Sequence, residues 1–181
     1  MFDVDDFIEG CRRAIGEADR RRAVREIVSR AVDEPAAVAA VLGRETGGIN
    51  FVYRSDDLTI LNVIWAPGMY LPPHDHRMWA TIGIYGGQED NAFFRRSGDG
   101  LVASGGKQLG VSDVVLLGDD TIHAVTNPTA RYTGAIHVYG GDFVAQPRSQ
   151  WDPDTLVESA YDIEETHRRF AAANAAVGTA P

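Results

Sequence analysis

The chain has one cysteine, Cys11, so no intrachain disulfide can form and folding does not depend on an oxidising compartment. It lacks any apolar run of the roughly 18 residues needed to cross a bilayer as a helix. Its opening, Met-Phe-Asp-Val-Asp-Asp, has neither the basic nor the long apolar region of a secretory leader. These absences lead us to expect a cytoplasmic protein with no membrane partner. Positive charge is scarce too: 17 Lys and Arg stand against 26 Asp and Glu, a net charge of −9. Phosphate binding needs a basic face, so nucleic acid is an unfavourable partner. Arg12, Arg13, Arg20, Arg21, Arg22 and Arg25 do cluster, but Glu17, Asp19 and Glu26 interleave with them, which is the pattern of a solvated helix face. No internal repeat is evident.

A length of 181 residues suits one domain with one core and helical additions at its ends. Val4, Ile8, Cys11 and Ile15 recur at helical spacing, as do Val24, Ile27, Val28 and Ala31. A third helix is expected from Pro35 to Leu42, with Asp33 as its N-cap, Pro35 in its first turn and Gly43 just past its end. From about Asn50 the text changes to β-rich runs: Phe51 to Tyr53, Leu58 to Trp65, Trp79 to Tyr85, Ala92 to Arg95, Val114 to Leu117 and Tyr132 to Tyr139. Turn signals such as Gly86-Gly87, Ser97-Gly98-Asp99-Gly100 and Gly118-Asp119-Asp120 separate them. After Trp151 helical spacing returns with Ile163, His167 and Phe170, then decays into an alanine-rich tail expected to fray. The chain is therefore expected to form a single domain over 1–181: a helical prefix at 1–47, a mainly β sandwich or barrel at 48–150, and a C-terminal helix and tail at 151–181.

Against this background three histidines stand out. His74 and His76 are one residue apart behind Pro72 and Pro73, and His123 lies in another strand-like run. Alternate residues of a strand face the same way, so an H-x-H pair projects two imidazoles into one space, where a third would complete a metal site. His167 has no ligand-spaced neighbour and reads as structural or exposed. Trp65, Trp79 and Phe94 read as core.

Gly68, the His74-Asp75-His76 triplet and Gly87 resemble the first cupin motif in spacing, and Gly110, Gly118, His123 and Asn127 follow the second loosely. That resemblance implies a double-stranded β-helix, a jelly-roll barrel whose mouth holds a metal. The glutamate ligand that cupins commonly carry after the second histidine falls here on Ala80 or Thr81, neither of which offers a carboxylate. Three neutral imidazoles leave a divalent ion with its whole charge, so such a site attracts an anionic ligand such as a thiolate.

Residues 74–83, with Gly87 and Glu89 beyond them, and residues 135–143 resemble the thiol dioxygenases of the cupin superfamily, the bacterial 3-mercaptopropionate dioxygenases in particular. The resemblance covers roughly residues 50 to 150 and implies His74, His76 and His123 as ligands of Fe(II). It places the family's Ser-His-Tyr series on Ala135, His137 and Tyr139, with a methyl where the hydroxyl belongs. The Cys-Tyr crosslink of animal cysteine dioxygenases has no sulfur to draw on at Ala80 or Thr81, and Cys11 lies in the helical prefix. The resemblance also offers Arg148 and Arg54 as binders of a substrate carboxylate, Arg148 the stronger candidate, because a planar guanidinium grips a carboxylate through two parallel hydrogen bonds. The implied activity is oxidation of a small carboxylate-bearing thiol, 3-mercaptopropionate or cysteine, by O₂ to its sulfinic acid. The partners would be that thiol and O₂, in a monomer or homodimer. Imidazole also suits zinc or nickel, so a zinc hydratase or hydrolase and a non-catalytic cupin that binds a small anion remain alternatives.

Overall fold

The computed structural model describes residues 1–98 and 100–178; Asp99 in the expected turn, and the last three residues of the alanine-rich tail, lie outside the described residues. Three helices come first, α1 (Val4–Ala14), α2 (Arg20–Val32) and α3 (Pro35–Leu42). The Asp3 carboxylate accepts from the N–H groups of Asp5 and Asp6, and Asp19 accepts from Arg22 N–H, which satisfies free donors at two helix starts. Phe7, Cys11 and Ala14 of α1 and Val24, Val28 and Val32 of α2 turn their stripes inward. The start of α3 differs from expectation. Asp33 closes α2 as its C-cap, and Glu34 occupies the N-cap of α3 without a side-chain bond. The two helices abut too closely for one aspartate to serve as a separate cap.

Eleven strands follow: β1 (Gly48–Arg54), β2 (Thr59–Trp65), β3 (Tyr70–Asp75), β4 (Ala80–Gly86), β5 (Glu89–Ser97), β6 (Gly100–Leu109), β7 (Val114–Leu117), β8 (Ile122–Thr126), β9 (Thr133–Tyr139), β10 (Ser149–Trp151) and β11 (Glu158–Ala160). One sheet runs β1-β2-β9-β4-β7 and the other β11-β10-β3-β8-β5-β6. Eight of these strands pair as nested antiparallel couples, β2 with β9, β3 with β8, β4 with β7 and β5 with β6, and alternate couples fall in opposite sheets. That nesting is the strand order of a jelly roll. The protein is a double-stranded β-helix, mainly β, with helices before it and α4 (Ile163–Val177) after it.

The middle of the first sheet is covered on both faces, which is why β2 is buried along its whole length, whereas the edge strand β1 is only half-buried. Leu61, Val63 and Trp65 point into the barrel with Ala80, Ile82, Ala135 and Tyr139, whereas Ile60, Ile64, Ile136 and Val138 meet α1 to α3 on the outside. Gly83 lets α2 settle on β4, since a Cβ there would lie 2.5 Å from Val28 and 2.9 Å from Val32.

Two strands escape sequence reading for a physical reason. Pro72 and Pro73 cannot donate ladder hydrogen bonds, yet they sit inside β3, where the register with β8 shifts between Leu71 and His74. Strand β6 is polar and glycine-rich, and is held by its antiparallel partner β5. Past Trp151 the chain is not at once helical. It first forms the short hairpin β10–β11 at a sheet edge, and α4 begins at Ile163. No helix of the described residues is long and apolar enough to cross a membrane.

Candidate metal centre

The shifted register of β3 sets His74 directly opposite His123 on β8. His76 follows one residue after β3 ends, and Arg77, with φ 53°, turns the chain away immediately beyond it. Ligand nitrogens from the three rings all lie within 4.8 Å of one another, and Nε2 of His76 is 3.5 Å from Nε2 of His123. The rings keep only 5%, 4% and 1% of their surface exposed, for His74, His76 and His123 respectively.

Two of the rings are oriented by acceptors behind them. His74 Nδ1–H donates to the Pro72 carbonyl at 2.9 Å, and His123 Nδ1–H donates to Asn91 Oδ1 at 2.7 Å. Each bond puts the proton on Nδ1 and turns the Nε2 lone pair towards the other rings, as in metal sites whose ligands are held from outside. Burial, helped by Arg148 and His137 and opposed by the Pro72 carbonyl, lowers the pKa of His74 to about 4. Burial, followed by the neighbouring imidazoles, holds His76 and His123 well below the ordinary range. All three are therefore neutral bases near neutral pH. Three free lone pairs, with no carboxylate joining them among the described residues, fit a divalent transition-metal ion.

This arrangement makes the metal-free protein acid-sensitive. In the unfolded chain His74 takes up a proton below about pH 6.5, but in the folded protein it does so only near 4. Protons thus favour the unfolded state across that window, and stability falls as pH drops through it and levels off below. The expected loss from His74 alone is on the order of 3 kcal/mol. The depressed carboxylates Asp142 and Glu158, held near 2 by Arg54 and Arg96, withdraw their stabilisation only at lower pH. Urea midpoints of chelated protein from about pH 7 down to 5 test this; a flat profile would contradict it.

Strand β9 brings the second cluster. Ala135, His137 and Tyr139 lie opposite Val63, Leu61 and Thr59 of β2, on the inward face. Tyr139 packs edge-on against His76, with ring centroids 4.9 Å apart, and its hydroxyl lies 3.0 Å from His137 Nδ1. Burial raises the pKa of this phenol, so it stays protonated. Ala135 is fully buried and offers His137 no polar contact.

The two arginines have different surroundings. Arg54 is outside, where its Nε and Nη2 form a two-pronged bond with Asp142 at 2.8 Å each. That fork is already occupied. Arg148 lies between the Phe143 and Tyr161 rings, its guanidinium carbon 3.7 and 4.1 Å from their centroids, and it donates to the Phe143 carbonyl at 3.0 Å. Among the described residues it has no ion pair with a carboxylate. Phe143 and Tyr161 in turn contact His76 and His74, with centroids 6.1 and 5.9 Å apart, so Arg148 stands one ring away from the imidazoles. Beyond it opens a cleft of about 480 Å³ lined by Ile49, Phe51, Phe143, Arg148, Tyr161 and Ile163, with His167 on its wall. Trp65 and Trp79 are buried, as expected of core residues. Cys11 is buried too, and desolvation pushes its thiol up to about 12, so it is an inert packing residue.

Sequence reasoning assigned no role to Glu89 or Asn91. Glu89 begins β5 just after Gly86-Gly87 and reads as the polar end of a turn, yet it is completely buried. Trp65 Nε1–H donates to its Oε2 at 2.7 Å and Asn91 Nδ2–H to its Oε1 at 2.9 Å, and His137 Nε2 lies 3.6 Å from Oε2. Desolvation raises the Glu89 pKa, but the adjacent His137 ring, which makes no hydrogen bond through Nε2, and the donors Asn91 and Trp65 outweigh it, so the carboxyl is held below its ordinary range and ionised. No local pattern marks such a residue; only the packed barrel brings its donors together.

No family model matches the chain. Among solved structures it is similar to an RmlC-like cupin from Methanocaldococcus jannaschii with a double-stranded β-helix fold, at 10% identity over 56% of this chain and 85% of that one, with a TM-score of 0.46. It is also similar to the DMSP lyase DddQ from Ruegeria pomeroyi DSS-3, at 21% identity over 64% of this chain and 56% of that one, with a TM-score of 0.48. An oxalate oxidase in complex with the substrate analogue glycolate shares 14% identity over 54% of this chain and 52% of its own length, with a TM-score of 0.43. The chain thus spans little more than half of the latter two proteins.

Proposed function

We propose that this protein is a mononuclear non-haem iron thiol dioxygenase, acting on a small thiol that carries a carboxylate. The observation that carries this reading is a cage of imidazoles that no carboxylate joins among the described residues, with an arginine one aromatic ring away that has no ion pair with a carboxylate among them. His74, His76 and His123 would hold Fe(II), which when bound supplies a Lewis acid for a thiolate and one-electron reactivity towards O₂. In the overall change R–S⁻ and O₂ become R–SO₂⁻. Sulfur loses four electrons, dioxygen gains them, and both oxygen atoms end on sulfur.

The remaining work belongs to the chain. Arg148, stacked between Phe143 and Tyr161, has donors left for the substrate carboxylate, and the rings fix the plane in which that carboxylate is gripped. The nearly complete burial of the imidazoles excludes bulk water from the reacting sulfur. Tyr139, its hydroxyl held by His137, packs edge-on against the His76 ring beside the site. Holding substrate and oxidant side by side converts the encounter into an intramolecular step.

Reconstitution with Fe(II) without air, followed by oxygen-electrode assays on 3-mercaptopropionate, cysteine and cysteamine, tests the reading. Sulfinate should form from the two acids, and cysteamine, which lacks a carboxylate, should be the poorest substrate. Arg148→Gln should raise KM for the acids by about tenfold to a hundredfold, the worth of a hydrogen bond to a charged group, and leave cysteamine unchanged. Cysteamine oxidised as well as the acids, or no sulfinate from any thiol, would reject the proposal.

A further inference from the structure

Glu89 lies between the two clusters of the site and touches both through intermediaries. On one side Asn91 Nδ2 donates to Glu89 Oε1, while Asn91 Oδ1 faces His123 Nδ1. On the other, Glu89 Oε2 lies 3.6 Å from His137 Nε2, too far for a hydrogen bond but close enough for its charge to act on a nitrogen that has no hydrogen-bond partner, while His137 Nδ1 faces the Tyr139 hydroxyl at 3.0 Å. An ionised carboxylate only accepts, and that single constraint runs outward in both directions.

Asn91 must turn its NH₂ to Glu89, so its oxygen faces His123 and can only accept. His123 must then carry its proton on Nδ1, which leaves Nε2 free for a metal. His137 Nε2 is buried without a hydrogen-bond partner, and the negative charge of Glu89 3.6 Å away favours a proton on that nitrogen in the neutral ring, so Nδ1 is an acceptor. The Tyr139 O–H must then donate to Nδ1. Trp65, whose indole N–H can only donate, occupies the remaining place on Oε2.

We propose that Glu89 is a positioning residue that sets the tautomers of His123 and His137 together, and that it does for His137 what a hydroxyl at position 135 would otherwise do. This rests on the dioxygenase reading for its catalytic meaning, but the tautomers are a property of the chain alone. The methyl of Ala135 then signals a different anchor for the same imidazole, supplied by β5 on the opposite sheet in place of β9.

The test uses metal-free protein labelled with ¹⁵N in its histidines, read by long-range ¹H–¹⁵N correlation. In the native sequence the unprotonated nitrogens should be Nε2 of His123 and Nδ1 of His137. Glu89→Gln keeps the side chain's shape but removes its charge and gives it an N–H that competes with the donors Asn91 and Trp65. It should mix or invert the His137 tautomer and weaken binding of Ni(II), used as the probe, by about tenfold to a hundredfold. Glu89→Asp, which keeps the charge, should restore the native tautomers in part. Ala135→Ser should leave the His137 signals unchanged, which keeps the inference testable if Glu89→Gln does not fold.

Native tautomers and native Ni(II) affinity in Glu89→Gln would overturn the proposal, as would a His137 that is reoriented by serine at position 135. If the tautomers follow Glu89 while no thiol is oxidised, the dioxygenase reading fails and this one stands.

Discussion

His123→Ala is expected to remove metal binding and turnover together. The three imidazoles are the whole set of converging ligand groups among the described residues, and no carboxylate stands ready to replace one. Two neutral imidazoles make a weak bidentate site, and the substitution also leaves Asn91 Oδ1 buried without its donor. His123 is the informative member because it comes from β8, whereas His74 and His76 share one short segment. Its loss separates the two halves of the cage without changing the H-x-H pair. Metal content after reconstitution and dialysis, measured beside the oxygen-uptake rate, decides the matter. Activity should fall below detection, and bound metal should fall to the level of a chelated control. Native activity in a variant that has lost its metal would remove the ion from the chemistry, and native metal content would place the ion elsewhere.

Gly140→Ala is expected to cause the largest loss of stability. A Cβ at Gly140 would lie 2.0 Å from Cε2 and Nε1 of Trp79, far inside van der Waals contact. Neither group has room to retreat. Gly140 N–H donates to the Trp79 carbonyl at 3.1 Å, and the Trp79 ring is 2% exposed in the cluster beneath the helices. Overpacking of this kind costs about 1–3 kcal/mol even where neighbours can shift, so about 3 kcal/mol is expected here. That is a sizeable part of the roughly 5–15 kcal/mol that holds a domain folded. Because Gly140 follows Tyr139, the same strain should displace the phenol from His137. Urea denaturation measures the first effect as a lower midpoint at unchanged slope. Gly48→Ala, where a Cβ meets nothing within 4 Å, is the control. Equal midpoints for the two variants would show that the Trp79 contact yields easily.

The barrel was legible where its strands carry an unbroken apolar text. Strands β2, β4, β7 and β9 were each marked by such runs, because the first sheet is buried beneath helices on one face and the barrel interior on the other. Strand β3 was hidden by Pro72 and Pro73, and β6 by its glycines and polar residues, because both owe their strand character to a paired neighbour more than to propensity. At the site, His74, His76 and His123 stood out because metal ligands are a restricted residue class in a strict geometry. Arg148 and Arg54 were both offered as carboxylate binders, with Arg148 preferred on the resemblance around Tyr139. Only their surroundings separate a guanidinium stacked between two rings from one already forked onto Asp142.

By itself the sequence determined that two imidazoles stand one residue apart and that no acid follows them at ligand spacing; the hydroxyl missing at position 135 was legible only through the resemblance to the thiol dioxygenases. The spacing is a fact of local order, but β3 ends between the two histidines, so their shared direction was left to the tertiary structure. The tertiary structure alone decided that His123 would meet His74 across a shifted register, and that Glu89, 48 positions before His137, would stand behind it. The reason is that an ionised carboxylate survives without water only where polar partners converge, and here Asn91 of its own strand is joined by Trp65 from β2 and, at 3.6 Å, by His137 from β9, which the sequence keeps far apart.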